Sequence, residues 1–241
     1  MYNCEIEFAN LSVGWKFSSM ASQLPAPGSE AFGVLVKGLR PFEITARSIN
    51  IESLSSNLDD VAITINLLKP RINLRIAYSG VDIEAINVED EEVEQILQIL
   101  NLTFQSLEKI DSDFRDGNGF VKISLHTKLV DKIASEYISE KISIKLNNSD
   151  ITPEATVFSL NVDEITKQYP TKVTIAESLA VKNGLFLEIN YQSKNSAKDG
   201  ENKEPIEFFQ KLGEHYQTIF SLLELNPIIE EEKHNATISN K

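Results

Sequence analysis

Ile72-Asn-Leu-Arg-Ile-Ala-Tyr78 and Leu185-Phe-Leu-Glu-Ile-Asn-Tyr191 stand 113 positions apart, each alternating apolar residues with mostly polar ones. Leu74, Ile76 and Tyr78 fall on Leu187, Ile189 and Tyr191. A repeat of two marks a strand with one face in a core and one in water, because successive side chains point to opposite sides. Such one-faced strands favour antiparallel pairing, since parallel strands are covered on both faces and read as unbroken apolar runs.

The match extends in both directions. Upstream, at a spacing of 111, Ser48-Ile-Asn-Ile-Glu-Ser-Leu54 falls on Ser159-Leu-Asn-Val-Asp-Glu-Ile165, and at 112, Val61 and Ile63 fall on Val173 and Ile175. Downstream, the spacing of 113 runs on and pairs Val93 with Ile206, Ile96 with Phe209, Ile99 with Leu212, Leu107 with Phe220 and Ile110 with Leu223. Over 91–110, Glu94, Gln98, Asn101, Gln105 and Glu108 recur at steps of four and three, which leaves the opposite stripe apolar and predicts an amphipathic helix. Its counterpart begins at Pro205, a favoured first helical position, and ends before Asn226-Pro227.

The expected fold is therefore α+β, made of two tandem copies of an antiparallel sheet followed by an amphipathic helix, each helix closing over the dry face of its own sheet. The first copy is placed at 1–113 and the second at 119–226, with 227–241 expected to be a disordered tail. Asp111-Ser-Asp-Phe-Arg-Asp-Gly-Asn-Gly119, rich in turn-forming residues, marks the boundary. The second copy opens with a strand at Phe120–Leu125 and a helix at about 128–141, with Leu129, Ile133 and Tyr137 beside Val130, Ala134 and Ile138. The first copy instead carries Gly14, Trp15 and a loop from Ser22 to Glu30.

Composition narrows the function. Hydrophobic residues make up 41% of the 241, enough for a packed core. Twenty-three Lys and Arg against 36 Asp and Glu give a formal charge of −13, which repels phosphate backbones and anionic headgroups, so nucleic acid is not an expected partner. Cys4 is the single cysteine, so no intrachain disulfide forms and a reducing compartment suffices. Glu5 and Glu7 stand where a secretory signal needs basic residues, and no apolar run approaches membrane-spanning length; the expectation is a soluble, cytoplasmic protein without membrane insertion.

No constellation of residues calls for chemistry. His126, His215 and His234 lack metal-ligand spacing, and neither a phosphate loop nor a nucleophile elbow is present. Asp111, Asp113, Asp116 and Gly117 imitate a calcium loop, but the glycine comes one residue late and Lys122 takes the place of the closing glutamate. The expectation is a protein without catalytic activity, metal or cofactor. Phe186 and Phe208 are more informative, since each replaces a polar counterpart, Asn73 and Gln95, off the core stripe of its element. They are the candidate binding residues, awaiting burial against the other copy, a second chain or an apolar ligand.

The order of elements also resembles a known family. A first strand region with a Pro-containing loop (Trp15–Phe32), a strand ending in Leu54-Ser-Ser-Asn-Leu-Asp-Asp60, two more strands and a helix are similar to the SecB export chaperones, which are likewise acidic. That resemblance covers about 15–110 and parts of 150–223, and implies a non-enzymatic chaperone or adaptor that binds exposed hydrophobic segments of other proteins. The implied partner is a protein or unfolded client, with a homo-oligomer left open. Val121–Ile142 and Asn183–Tyr191 resemble the LmeA-type lipid binders, which implies the alternative of an amphiphile-binding protein; a purely structural interaction protein is the third reading.

Overall fold

A 16-residue strand organises the molecule. In the computed structural model, which describes residues 1–20, 24, 28–53, 61–67, 72–110, 117–141, 157–161, 171–193, 209 and 212–228, the chain opens with β1 (Tyr2–Phe17). It continues through α1 (Glu30–Gly38), two short 3-10 turns (Arg40–Phe42 and Ala46–Ser48), β2 (Ile49–Ser53), β3 (Val61–Leu67), β4 (Ile72–Ala77), β5 (Gly80–Ala85) and α2 (Asp90–Ile110). The second half runs β6 (Gly117–Leu129), α3 (Ala134–Lys141), β7 (Phe158–Asn161), β8 (Thr171–Glu177), β9 (Gly184–Gln192), α4 (Leu212–Leu222) and β10 (Leu225–Pro227).

The strands form one continuous sheet in the order β2-β3-β4-β5-β1-β6-β9-β8-β7, with β10 added beside β1. Every ladder is antiparallel except β1–β10. The alternation that predicted one-faced strands is met. Leu74 and Ile76 of β4, Val121 and Leu125 of β6, and Leu187 and Ile189 of β9 are buried in one core, while Arg75, Ser124 and Glu188 point the other way.

The helices share that core. Ile96, Ile99, Phe104 and Leu107 of α2, Phe32 and Leu35 of α1, Tyr137 and Ile138 of α3, and Ile219 and Phe220 of α4 all belong to it. Phe104 meets Trp15 of β1 edge-on at 6.0 Å and stacks at 6.2 Å on Phe209, which belongs to the other half of the chain. α1 starts where Ser29 caps it, its hydroxyl accepting from the Phe32 amide at 3.1 Å. Gly38 ends α1 against Ser106 of α2, and a Cβ there would collide with the Ser106 hydroxyl. No described helix covers the opposite face of the sheet.

The structure differs from the sequence reading in three places. Sequence reading ends the first set of strands at Tyr78, but the chain turns there and returns as β5, which lies between β4 and β1. Consequently β4 and β9, matched at a spacing of 113, hold different places: β9 pairs directly with β6, whereas β4 is one strand removed from β1. Second, the strand expected over Phe120–Leu125 runs on to Leu129, because Lys128 and Leu129 pair with Glu5 and Cys4. The helix starts only at Ala134, leaving Val130 and Ile133 exposed rather than on its core rows. Third, the first copy's opening holds the helix α1, not loop alone. Leu54–Asp60, residues 111–116, Pro205 and the segment beyond Ile228 lie outside the described residues.

Phe104 joins both halves, so Phe104→Ala is expected to lower unfolding stability by about 3–5 kcal/mol in urea titrations. Leu160→Ala, on the exposed edge strand β7, is expected to change it by less than about 0.5 kcal/mol.

Candidate functional site

The helix-free face carries one aromatic row. Along β1, the register to β6 shifts between Ile6 and Phe8, so Glu7 is an extra residue. Such a bulge reverses which residues face the core: Cys4 is buried before it and Leu11 and Val13 after it. Phe8 is thereby turned onto the helix-free face. It sits opposite His126 of β6, and His126 sits opposite Phe186 of β9. The Phe8 and His126 rings meet edge-on at 6.2 Å, and those of His126 and Phe186 lie 5.1 Å apart. Phe8 remains 40% exposed, and the row ends at Ala176, the partner of Phe186 on β8.

A hydroxyl fixes the central ring. Ser178 Oγ accepts from the amides of Ala180 at 3.1 Å and Val181 at 2.9 Å, and lies 2.8 Å from His126 Nδ1. With both lone pairs engaged, the hydroxyl proton goes to Nδ1, and the ring proton is assigned to Nε2. This serine–histidine pair orients a ring and presents one N–H donor between two phenyl groups.

Around the row the face is polar and cross-linked between strands. Lys122 bonds Glu188 at 2.8 Å, Arg75 approaches Asp82 at 3.5 Å, and Ser159 meets Thr174 at 3.1 Å. Partial burial acts to raise the Glu188 pKa, but hydrogen bonds from Lys122 and Asn190 outweigh it and hold the carboxyl below its ordinary range. Phe120 lies across Gly14, where a Cβ would stand 2.6 Å from the ring.

A second polar cluster ties the chain's start to α3 and to the turn between α4 and β10. Tyr2 of β1 donates to both Glu140 oxygens at 2.8 and 2.9 Å, and Lys132 bonds the same carboxylate. Lys141 bonds Glu224 at 2.6 Å, beside β10. The Lys132 and Lys141 ammonium groups stand 5.1 and 5.9 Å from the Tyr2 ring centre. Beneath them Tyr137, fully buried, donates to the Leu223 carbonyl at 2.7 Å, and burial pushes its phenol up. The lysine hydrogen bonds hold Glu140 and Glu224 below their ordinary values.

Of the residues expected from sequence, Phe186 is on the water-facing side of its strand, in the row. Phe208 lies outside the described residues, and its neighbour Phe209 is buried in the core. The structure brings His126 into the site; the His215 side chain and His234 are not among the described residues. Lys122, in the calcium-loop closing position, is a β6 residue bonded to Glu188. Among the described residues no cluster of three or more His, Cys, Asp or Glu is placed to hold a metal, and no described helix is long and apolar enough to cross a membrane. Sequence reasoning missed Phe8. Its signal was the change of phase along this strand, in which the apolar positions are even up to Phe8 and odd from Leu11 through Val13 to Trp15.

These features define an α+β protein with one broad antiparallel sheet, its described helices on a single face, and an aromatic row in the polar surface of the other. No family model matches the chain. It is similar to the trigger factor of Mycolicibacterium smegmatis (strain ATCC 700084 / mc(2)155), at 28% identity over 203 residues, covering 83% of this chain and 41% of that protein. The chain thus spans less than half the length of that relative.

Two outcomes are expected. Ser178→Ala should change the ring-nitrogen pattern of His126 in long-range 1H–15N NMR spectra, with the Nε2–H form losing its dominance. For Glu140 and Glu224, whose folded values are depressed, the stabilising contribution is present above the unfolded-chain glutamate value of about 4.3 and is lost as pH falls through the folded one. The urea midpoint of the wild type should therefore fall more steeply from pH 5 to about pH 3 than that of Glu140→Gln/Glu224→Gln.

Proposed function

We propose that this protein is a non-enzymatic chaperone or adaptor that holds apolar segments of other polypeptides. The observation that carries it is the row Phe8, His126, Phe186, set in a polar sheet face that no described helix covers. Aromatic rings kept partly in water on a rigid sheet offer contact area with little side-chain entropy to lose, and the Nε2–H gives them one directional bond to a carbonyl. Similarity to a trigger factor, itself a chaperone, supports the same reading.

Within it, the chain is two SecB-like units fused side by side. Each half supplies a long central strand (β1, β6), a short helix after it (α1, α3), outward strands and a closing helix (α2, α4), and β1 pairs with β6. In that comparison β5 corresponds to β9 and β2 is an addition to the first half, which accommodates the strand that a spacing of 113 misplaces.

The test is capture of a reduced, carboxymethylated and permanently unfolded α-lactalbumin. Phe8→Asn/Phe186→Asn is expected to weaken capture at least about tenfold, equivalent to 1.4 kcal/mol, with the thermal midpoint nearly unchanged because both rings are partly in water. Unchanged capture would remove the row from the site. Stoichiometric lipid on solvent extraction of the purified protein would favour the amphiphile-binding alternative instead.

A further inference from the structure

We propose that the edge of β1 now held by β10 is a strand-addition site, at which an extended segment of a partner polypeptide pairs in parallel with β1 and displaces β10. This rests on the reading of the protein as a binder of polypeptide segments, and gives that binding a second element, a backbone one.

The chain itself shows what the edge accepts. β10 has three residues and runs parallel to β1, in the register Tyr2↔Leu225, Asn3↔Asn226 and Cys4↔Pro227. The Tyr2 amide donates to the Glu224 carbonyl at 2.6 Å and the Ile228 amide to the Cys4 carbonyl at 2.9 Å. Leu225 is buried, next to an open groove lined by Met1, Tyr216, Phe220 and Pro227. A parallel ladder is slightly the weaker kind per residue, and this one is the shortest among the described strands. The turn into it is strained as well: Glu224 holds a φ of 55°, a left-handed conformation that residues other than glycine rarely adopt.

The edge also continues past β10. Tyr2 and Cys4 direct their backbone groups to this edge while the Asn3 carbonyl accepts from Val130 on the β6 side, so by alternation Ile6 directs its N–H and C=O the same way as Tyr2 and Cys4. The next bond on that edge is Val88 amide to Ala9 carbonyl at 2.8 Å. Between Ile228 and Val88 no described residue pairs with it. Ile6 and Phe8, 39% and 40% exposed, flank this stretch. A longer segment than β10 would gain the Ile6 backbone pairs, seat an apolar side chain where Leu225 sits, and pass beside Phe8.

The register offers a reversible lock. Asn3 and Asn226 are exposed partners whose side chains bond each other at 2.9 Å, so Asn3→Cys/Asn226→Cys places two thiols for a disulfide that staples β10 to β1. Cys4 stays out of exchange, being buried with its thiol pushed up to about 11. The full-length variant is compared, oxidised and reduced, for capture of the carboxymethylated α-lactalbumin. The expected result is at least a tenfold loss on oxidation, restored by dithiothreitol. Equal capture in both states overturns the strand-addition site while leaving the aromatic row standing. Absence of capture by the reduced variant and the wild type alike overturns both readings. A disulfide-linked dimer instead of the intramolecular bond assigns the edge to a second copy of this chain and overturns the assigned partner. As a measurement on the unaltered protein, the synthetic peptide Leu223-Glu-Leu-Asn-Pro-Ile-Ile-Glu230 in excess should reduce capture at least threefold; no reduction counts against the proposal.

Discussion

The antiparallel ladder between β1 and β6 is the interaction on which the rest depends. Its register runs from Cys4 opposite Leu129 to Phe17 opposite Gly117, joining the first strand of each half along almost its full length. Everything else is added outward from that pair: β5, β4, β3 and β2 on one flank, and β9, β8 and β7 on the other. Because all these strands alternate in phase, the apolar side is continuous across the sheet, and α2 and α4 cover one shared core rather than two separate ones. The Phe104–Phe209 stack is the packing expression of that continuity.

A ladder this long meets a phase problem, and one residue resolves it. Cys4 must be inside at one end of β1, and Leu11, Val13 and Trp15 inside at the other. An even residue and three odd ones cannot share a face of an unbroken strand, since a step of one changes sides. Glu7 absorbs the mismatch as a bulge. The same residue turns Phe8 away from the core and toward His126. The aromatic row is therefore a consequence of how the core is filled at both ends of β1.

This explains what could be read from sequence. β4, β8 and β9 alternate cleanly, and α2 shows its polar stripe, so the fold class and the water-facing position of Phe186 were legible from residues close in the chain. β5 has the same six-residue length as β4 and the same alternation, Val81, Ile83 and Ala85 against Asp82 and Glu84, but the residues 113 positions on, Ser193-Lys-Asn-Ser-Ala-Lys198, do not repeat it, so a reading led by the repeat passed over it. The stretch from Leu129 to Ile138 fits a helical period locally, yet its first residue belongs to β6, held by Cys4 more than 100 positions away. Likewise the meeting of Phe8, His126 and Phe186, and that of Tyr2 with Glu140, depend on register across the sheet.

The bulge also couples the face to the edge. Ile6 and Phe8 lie on either side of Glu7, one on the stretch of edge past β10 that no described residue pairs with and the other in the aromatic row. An exposed edge with apolar side chains invites uncontrolled pairing, and sheet proteins blunt such edges with charge, bulges and short covering strands. All three are present within a few residues: Glu5 and Glu7 alternate with Ile6, the bulge twists the strand, and β10 covers its beginning. Guarding of this kind suppresses casual association while leaving the edge open to a segment that supplies enough backbone bonds and apolar contact at once. Since a net charge of −13 makes copies of the chain repel one another, a less acidic polypeptide meets a lower electrostatic barrier at that edge than a second copy does.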